Sequence, residues 1–79
     1  MRAEPGRLVL SIEPGDASVY LDGRFLGTAE ELSRLHAGLV VNPGLHTLEV
    51  VRPGFRAQRT EVVIDEDVET AISVELESD

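Results

Sequence analysis

Two histidines, a run of carboxylates and an Asp-Gly pair are the residues here whose types could support chemistry. His46 follows Pro43-Gly44, and His36 stands ten residues earlier. Zinc sites are usually built from three or four protein ligands, and the chain has no cysteine to join the pair. His46 therefore reads as structural, its ring closing one end of the fold with a nitrogen on a loop carbonyl. The run Asp65-Glu66-Asp67-Val68-Glu69 has the oxygen chemistry of a calcium loop. It fails the EF-hand pattern, since Thr70 stands at the glycine position and Leu76 at that of the bidentate glutamate. It reads instead as an acidic, solvated hairpin turn that discourages edge pairing. Asp22 could serve a triad only if Ser18 or Ser33 and a histidine came together from unrelated loops. Its place in Asp22-Gly23 is accounted for by turn chemistry. Glu30 and Glu31 read as first-turn helix residues, stabilised by the helix dipole. No catalytic, metal or cofactor-binding residue is assigned, and no cofactor or enzymatic activity is expected.

The elements that position these residues are punctuated by glycine. All four prolines precede one, in Pro5-Gly6, Pro14-Gly15, Pro43-Gly44 and Pro53-Gly54, a pairing suited to type II turns. Asp22-Gly23 adds a hairpin turn. Between turns the apolar residues alternate. Leu8, Leu10 and Ile12 share one face, as do Ala17, Val19 and Leu21, then His46, Leu48 and Val50. Val62 and Ile64 follow, then Val68, Thr70, Ile72, Val74 and Leu76. Period-two alternation means one buried face per strand, and many short strands between turns imply antiparallel pairing. The expected fold is all-β, a small antiparallel sandwich of six or seven strands. One segment departs from it. Thr28 followed by Glu31 is a capping box, and Gly38 suits a left-handed residue past a helix end. A short helix is expected near residues 29–37, with Leu32 and Leu35 laid on the sandwich as a lid.

Seventy-nine residues make one domain, with its core over about 7–77. The net charge of −8 is unevenly placed: the seven arginines all precede residue 60, and residues 61–79 carry eight acidic groups. That balance disfavours nucleic acid and anionic lipid, which need a positive footprint. No apolar run approaches membrane-spanning length, so no membrane insertion by this segment is expected. The opening Met1–Gly6 lacks the apolar core of a signal peptide. On that ground alone the chain is read as cytoplasmic or as a domain cut from a longer protein.

Alternation turns Val9, Tyr20, Val40, Val51 and Val63 away from the core, as a face either covered by the helix or open to a partner. A contiguous apolar patch marks an interface, and aromatic and arginine side chains are its usual anchors. The expected interaction surface is therefore Tyr20, Arg24, Phe25, Val51, Arg52, Arg56 and Arg59. Its occupant would be a protein or another domain of the parent chain, a second copy in a weak homodimer, or a surface polysaccharide.

Val19-Tyr20-Leu21-Asp22-Gly23, then Gly27-Thr28, then Pro43-Gly44-Leu45-His46, then Pro53-Gly54-Phe55, occur in an order that resembles the PEGA domain over residues 7–77. The resemblance implies a small sandwich of transthyretin or carboxypeptidase-regulatory type, used as a non-catalytic module in bacterial and archaeal surface proteins. It implies a cell-envelope or extracytoplasmic setting and carries over no ligand and no catalytic residue. Two departures stand out. Gly15 replaces the expected glutamate in Pro14-Gly15-Asp16-Ala17, and Ala29–Gly38 is an insertion where the family passes quickly into its next strand.

Overall fold

Alternating apolar residues build seven strands and leave one capped turn of helix. The computed structural model describes residues 4–35 and 38–78. Its elements are β1 (Gly6–Glu13), β2 (Ser18–Leu21), β3 (Arg24–Thr28), α1 (Ala29–Ser33), β4 (Leu39–Val41), β5 (Gly44–Val51), β6 (Gln58–Ile64) and β7 (Glu69–Glu75). They form a three-stranded sheet, ordered β4-β1-β7, and a four-stranded sheet, ordered β3-β2-β5-β6. The inward faces meet in one core in which Leu8, Val19, Leu48, Val50 and Ile64 are the largest fully buried side chains. This is the all-β sandwich expected from the alternation.

One pairing differs from the antiparallel expectation. β1 and β7 run parallel, in register from Arg7 opposite Glu69 to Glu13 opposite Glu75. The cause lies in the connection before β7. Asp65–Val68 is not a hairpin turn, because β6 and β7 belong to different sheets. It crosses between the layers, tied down where Asp67 N–H donates to Pro5 O and Arg7 N–H to Val68 O. The crossing lays β7 beside β1 in the same direction. Val68, expected to point inward, sits in this crossing and is 45% exposed. Thr70 and Ile72 are half-buried because β7 is an edge strand.

The crossing also explains Gly6. It sits buried inside β1, not at a turn, and a β-carbon there would fall 2.5 Å from Asp65 O and overlap the Ile64 side chain. The Pro-Gly pairs thus divide. Pro53-Gly54 makes the expected turn, with Gly54 at φ 84° and Phe55 N–H on Arg52 O. Gly6 and Gly15 do not take the positive φ of a type II turn.

The helix is shorter than residues 29–37. Thr28 Oγ1 accepts from Glu31 N–H while Glu31 Oε1 accepts from Thr28 N–H, completing the capping box. The Pro14–Ala17 turn supplies further partners, since Ala29 N–H donates to Ala17 O and Glu30 N–H to Gly15 O. Ala29 and Leu32 are buried and join the core between β1 and β3. Leu35 is not part of a lid. The helix ends at Ser33 with Arg34 as its cap, and Leu35, beyond that end, is 42% exposed. Residues 36 and 37 of the expected helix lie outside the described residues.

Candidate interaction surface

The four-stranded sheet turns its outer face to solvent, and its register sets the surface out in rows. Tyr20 pairs with Phe25 on one side and Glu49 on the other, and Glu49 pairs with Arg59. One row, Phe25-Tyr20-Glu49-Arg59, therefore crosses all four strands. The two aromatic rings lie 5.5 Å apart at 59°, with Phe25 58% exposed. Toward one end of the sheet Ser18 pairs with Val51. Toward the other, Thr47 pairs with Glu61 and Leu45 with Val63. Leu45 and Val63 are 63% and 60% exposed, so α1 does not cover this face. A shallow hollow of about 370 Å³ opens among Asp22, Gly23, Thr47, Glu49 and Arg59.

The structure thus brings Tyr20, Phe25, Val51 and Arg59 onto one face. Arg24 stands at its rim, the first residue after the β2–β3 turn. Arg52 is engaged elsewhere. Its Nε donates to Asp16 Oδ1 at 2.8 Å, its Nη1 to Pro53 O at 2.6 Å, and its guanidinium lies 5.2 Å over the Phe55 ring. The hydrogen bond to Arg52 lowers the Asp16 pKa, and the same bond raises that of Arg52. Arg52 therefore fastens the β5–β6 turn to the β1–β2 turn. Arg56 belongs to the same end of the sandwich, its backbone N–H on Glu77 O. The outward valines do not form one face. Val51 and Val63 lie on the four-stranded sheet, whereas Val9 and Val40 lie on the three-stranded sheet, on the far side of the core.

Leu45 and Glu49 complete the face and were not among the residues selected from sequence. The signal was present, because Leu45, Thr47, Glu49 and Val51 alternate against His46, Leu48 and Val50.

His46 closes one end of the core as expected, with its side chain 15% exposed. Its Nδ1 lies 2.5 Å from Asp22 Oδ2 and its Nε2 2.7 Å from Asn42 O. Carboxylate and carbonyl oxygens only accept, so the arrangement favours the protonated ring, in which both nitrogens donate. The bond to Asp22 is the main cause of a raised His46 pKa, helped by the bond to Asn42 O. The same bond to His46 is the main cause of a lowered Asp22 pKa, helped by Thr47 N–H donating to Asp22 Oδ1 at 2.9 Å. Both histidine nitrogens are thus occupied by protein. Asp22 and Gly23 take φ of 52° and 81°, as a two-residue hairpin turn requires. Ser33 Oγ donates to Glu30 O, and Glu30 pairs with Arg34 at 3.0 Å, so the helix polar groups serve the helix. Glu66 Oε1 accepts from Glu4 N–H within the acidic crossing. Among the described residues no three His, Asp or Glu side chains converge as metal ligands. His36 lies outside the described residues.

The family model of the PEGA domain matches residues 6–79, nearly the whole chain. No curated protein matches it at a significant level.

Proposed function

The chain belongs to the PEGA domain family, whose members are modules of surface or multidomain proteins, and from that premise we propose that it is a non-catalytic spacer and protein-contact module of a larger envelope-associated protein. One observation carries the spacer reading. The first and last strands are neighbours and run parallel, so the chain before Gly6 and the chain after Glu75 leave from opposite ends of the sandwich. At about 3.3 Å per residue, an eight-residue strand separates those points by roughly 25 Å. The domain is long in one direction, 46 × 22 × 17 Å. A unit that takes the chain in at one end and releases it at the other adds length to whatever contains it. The non-catalytic reading is supported by how the ionisable groups are used: His46, Asp22, Asp16 and Arg52 all fasten one turn or strand to another.

The test is a genetic tandem of two copies measured by small-angle X-ray scattering. The maximum dimension is expected to grow by about the length of one long axis. A tandem no longer than a single domain would mean side-by-side packing and would sink the reading.

A second reading, a polysaccharide-binding module, is favoured by the exposed Phe25 ring on the same sheet face as a hollow lined by Asp22, Thr47, Glu49 and Arg59. Sugars are held by an aromatic face together with polar groups at its edge. Glycan-array binding that Phe25→Ala abolishes would support it, and binding indifferent to that substitution would end it.

A further inference from the structure

We infer that the outer face of the four-stranded sheet is self-complementary and takes a second copy of this chain, giving the contact role proposed above a specific partner. The inference starts from the order of chemistry along one row: aromatic Phe25, phenolic Tyr20, carboxylate Glu49 and guanidinium Arg59, on β3, β2, β5 and β6 in turn. Neighbouring strands lie about 4.8 Å apart, so the row is roughly 14 Å long. A two-fold axis in the plane of the face, parallel to the strands and between β2 and β5, lays the row on its own reverse. Phe25 of one copy then meets Arg59 of the other, and Tyr20 of one copy meets Glu49 of the other. Each contact forms twice, as an isologous interface requires. A guanidinium over an exposed ring is a cation–π contact, and a phenol donating to a carboxylate is a charge-assisted hydrogen bond. The exposed Leu45 and Val63 extend the apolar surface toward the other copy's Asp22-Gly23 turn. A two-fold axis perpendicular to the strands would set Arg59 on Arg59 and Glu49 on Glu49, which disfavours it.

The opposite face lacks this pattern. On the three-stranded sheet Glu13 pairs with Glu75, so carboxylates stand together at one end, and no aromatic residue lies in its strands.

Area sets the strength. The 24 residues of the four strands, each about 3.3 Å long and about 4.8 Å wide, offer roughly 380 Å² per copy, near 760 Å² in total. Stable complexes bury about 1,600 Å², and smaller interfaces belong to transient contacts. The dimer is therefore weak, with a dissociation constant on the order of 100 µM. It forms where copies are concentrated side by side.

Sedimentation equilibrium of the purified domain from about 10 µM to about 1 mM tests this, with Phe25→Ser, Arg59→Gln and, on the other sheet, Val40→Ser. All three positions are exposed, so the fold tolerates the changes. Concentration-dependent dimer is expected. The first two variants should weaken it at least about tenfold, since each removes a contact that forms twice in the dimer, while Val40→Ser leaves it unchanged. Mixing Phe25→Cys with Arg59→Cys chains and a short bis-maleimide should give the cross-linked pair of unlike chains in excess over either like pair. A strictly monomeric domain at about 1 mM would overturn the inference. So would a dimer weakened by Val40→Ser alone, or cross-linking of like with like. Any of these leaves the tandem-length result standing, so failure here is distinct from failure of the spacer reading.

Discussion

His46 and Asp22, 24 residues apart in sequence, are joined by a hydrogen bond between imidazole Nδ1 and carboxylate, while the second ring nitrogen donates to Asn42 O. The pair fastens the β2–β3 turn to β5 and β5 to the loop before it. His46 is held above its ordinary value of 6.5, so its contribution is complete below about pH 6.5 and is lost as pH rises through the raised value. Asp22 is held below its ordinary 3.8, so its contribution is complete above that value and is lost as pH falls through the lowered one. Thermal unfolding from pH 3 to 9 should therefore show greatest stability between about pH 4 and 6.5. In His46→Gln the loss on the alkaline side should flatten. In Asp22→Asn, which keeps an αL-tolerant residue in the turn, the His46 titration followed by NMR should move down. Parallel pH profiles for wild type and His46→Gln would refute the coupling.

Gly6 and Gly15, each preceded by proline, should respond unequally to alanine. At Gly6 the new methyl meets Asp65 O and Ile64, both held by the crossing between sheets, and the expected cost is about 2–3 kcal/mol. At Gly15 the nearest atom to a β-carbon is Glu30 Cβ at 3.6 Å, an ordinary contact, and the change should stay within about 0.5 kcal/mol. Urea denaturation of both variants decides it, and equal effects would show that the close approach at β1 is not rigid.

Leu32 and Leu35, three residues apart on either side of the helix end, should likewise separate. Leu32→Ala empties a site that is 7% exposed and should cost about 2–4 kcal/mol. Leu35→Ala trims an exposed side chain and should cost under about 1 kcal/mol. A larger loss at Leu35 would put the lid back where sequence periodicity expected it.

In the core, Val19 is fully buried between β3 and β5, so Val19→Ala should destabilise by about 2–3 kcal/mol. Ile72 lies half-buried on the edge strand, and Ile72→Ala should cost less despite removing more atoms. The reverse ranking by chemical denaturation would mean that the β7 edge packs more tightly than its exposure indicates.

These contrasts follow the line between what was legible in the chain and what was not. Leu8, Leu10 and Ile12, or Val62 and Ile64, announce their inward face by alternation, and Asp22-Gly23 announces its turn. Both signals are local. Alternation is blind to strand direction and to sheet membership, so nothing in residues 65–76 distinguishes a hairpin return from a crossing that sets β7 parallel to β1. The same blindness scattered the interaction surface. Val40 and Val63 read alike in sequence and lie on opposite faces. The Phe25-Tyr20-Glu49-Arg59 row exists only once three strand registers are known, one of them between the non-consecutive β2 and β5. Asp22 was fully explained as a turn residue, which concealed its second role with His46.

The parallel pairing of β1 with β7 has a mechanical consequence. Tension applied through the chain on either side of the domain pulls β1 toward one end and β7 toward the other, along the strands. The hydrogen bonds from Arg7–Glu69 to Glu13–Glu75 are then sheared together instead of being unzipped one after another. Rupture under load requires them to fail almost at once, with the side chains of Leu8, Leu10 and Ile12 dragged past the core in the same event. The strand that closes the sandwich is also its clasp against force.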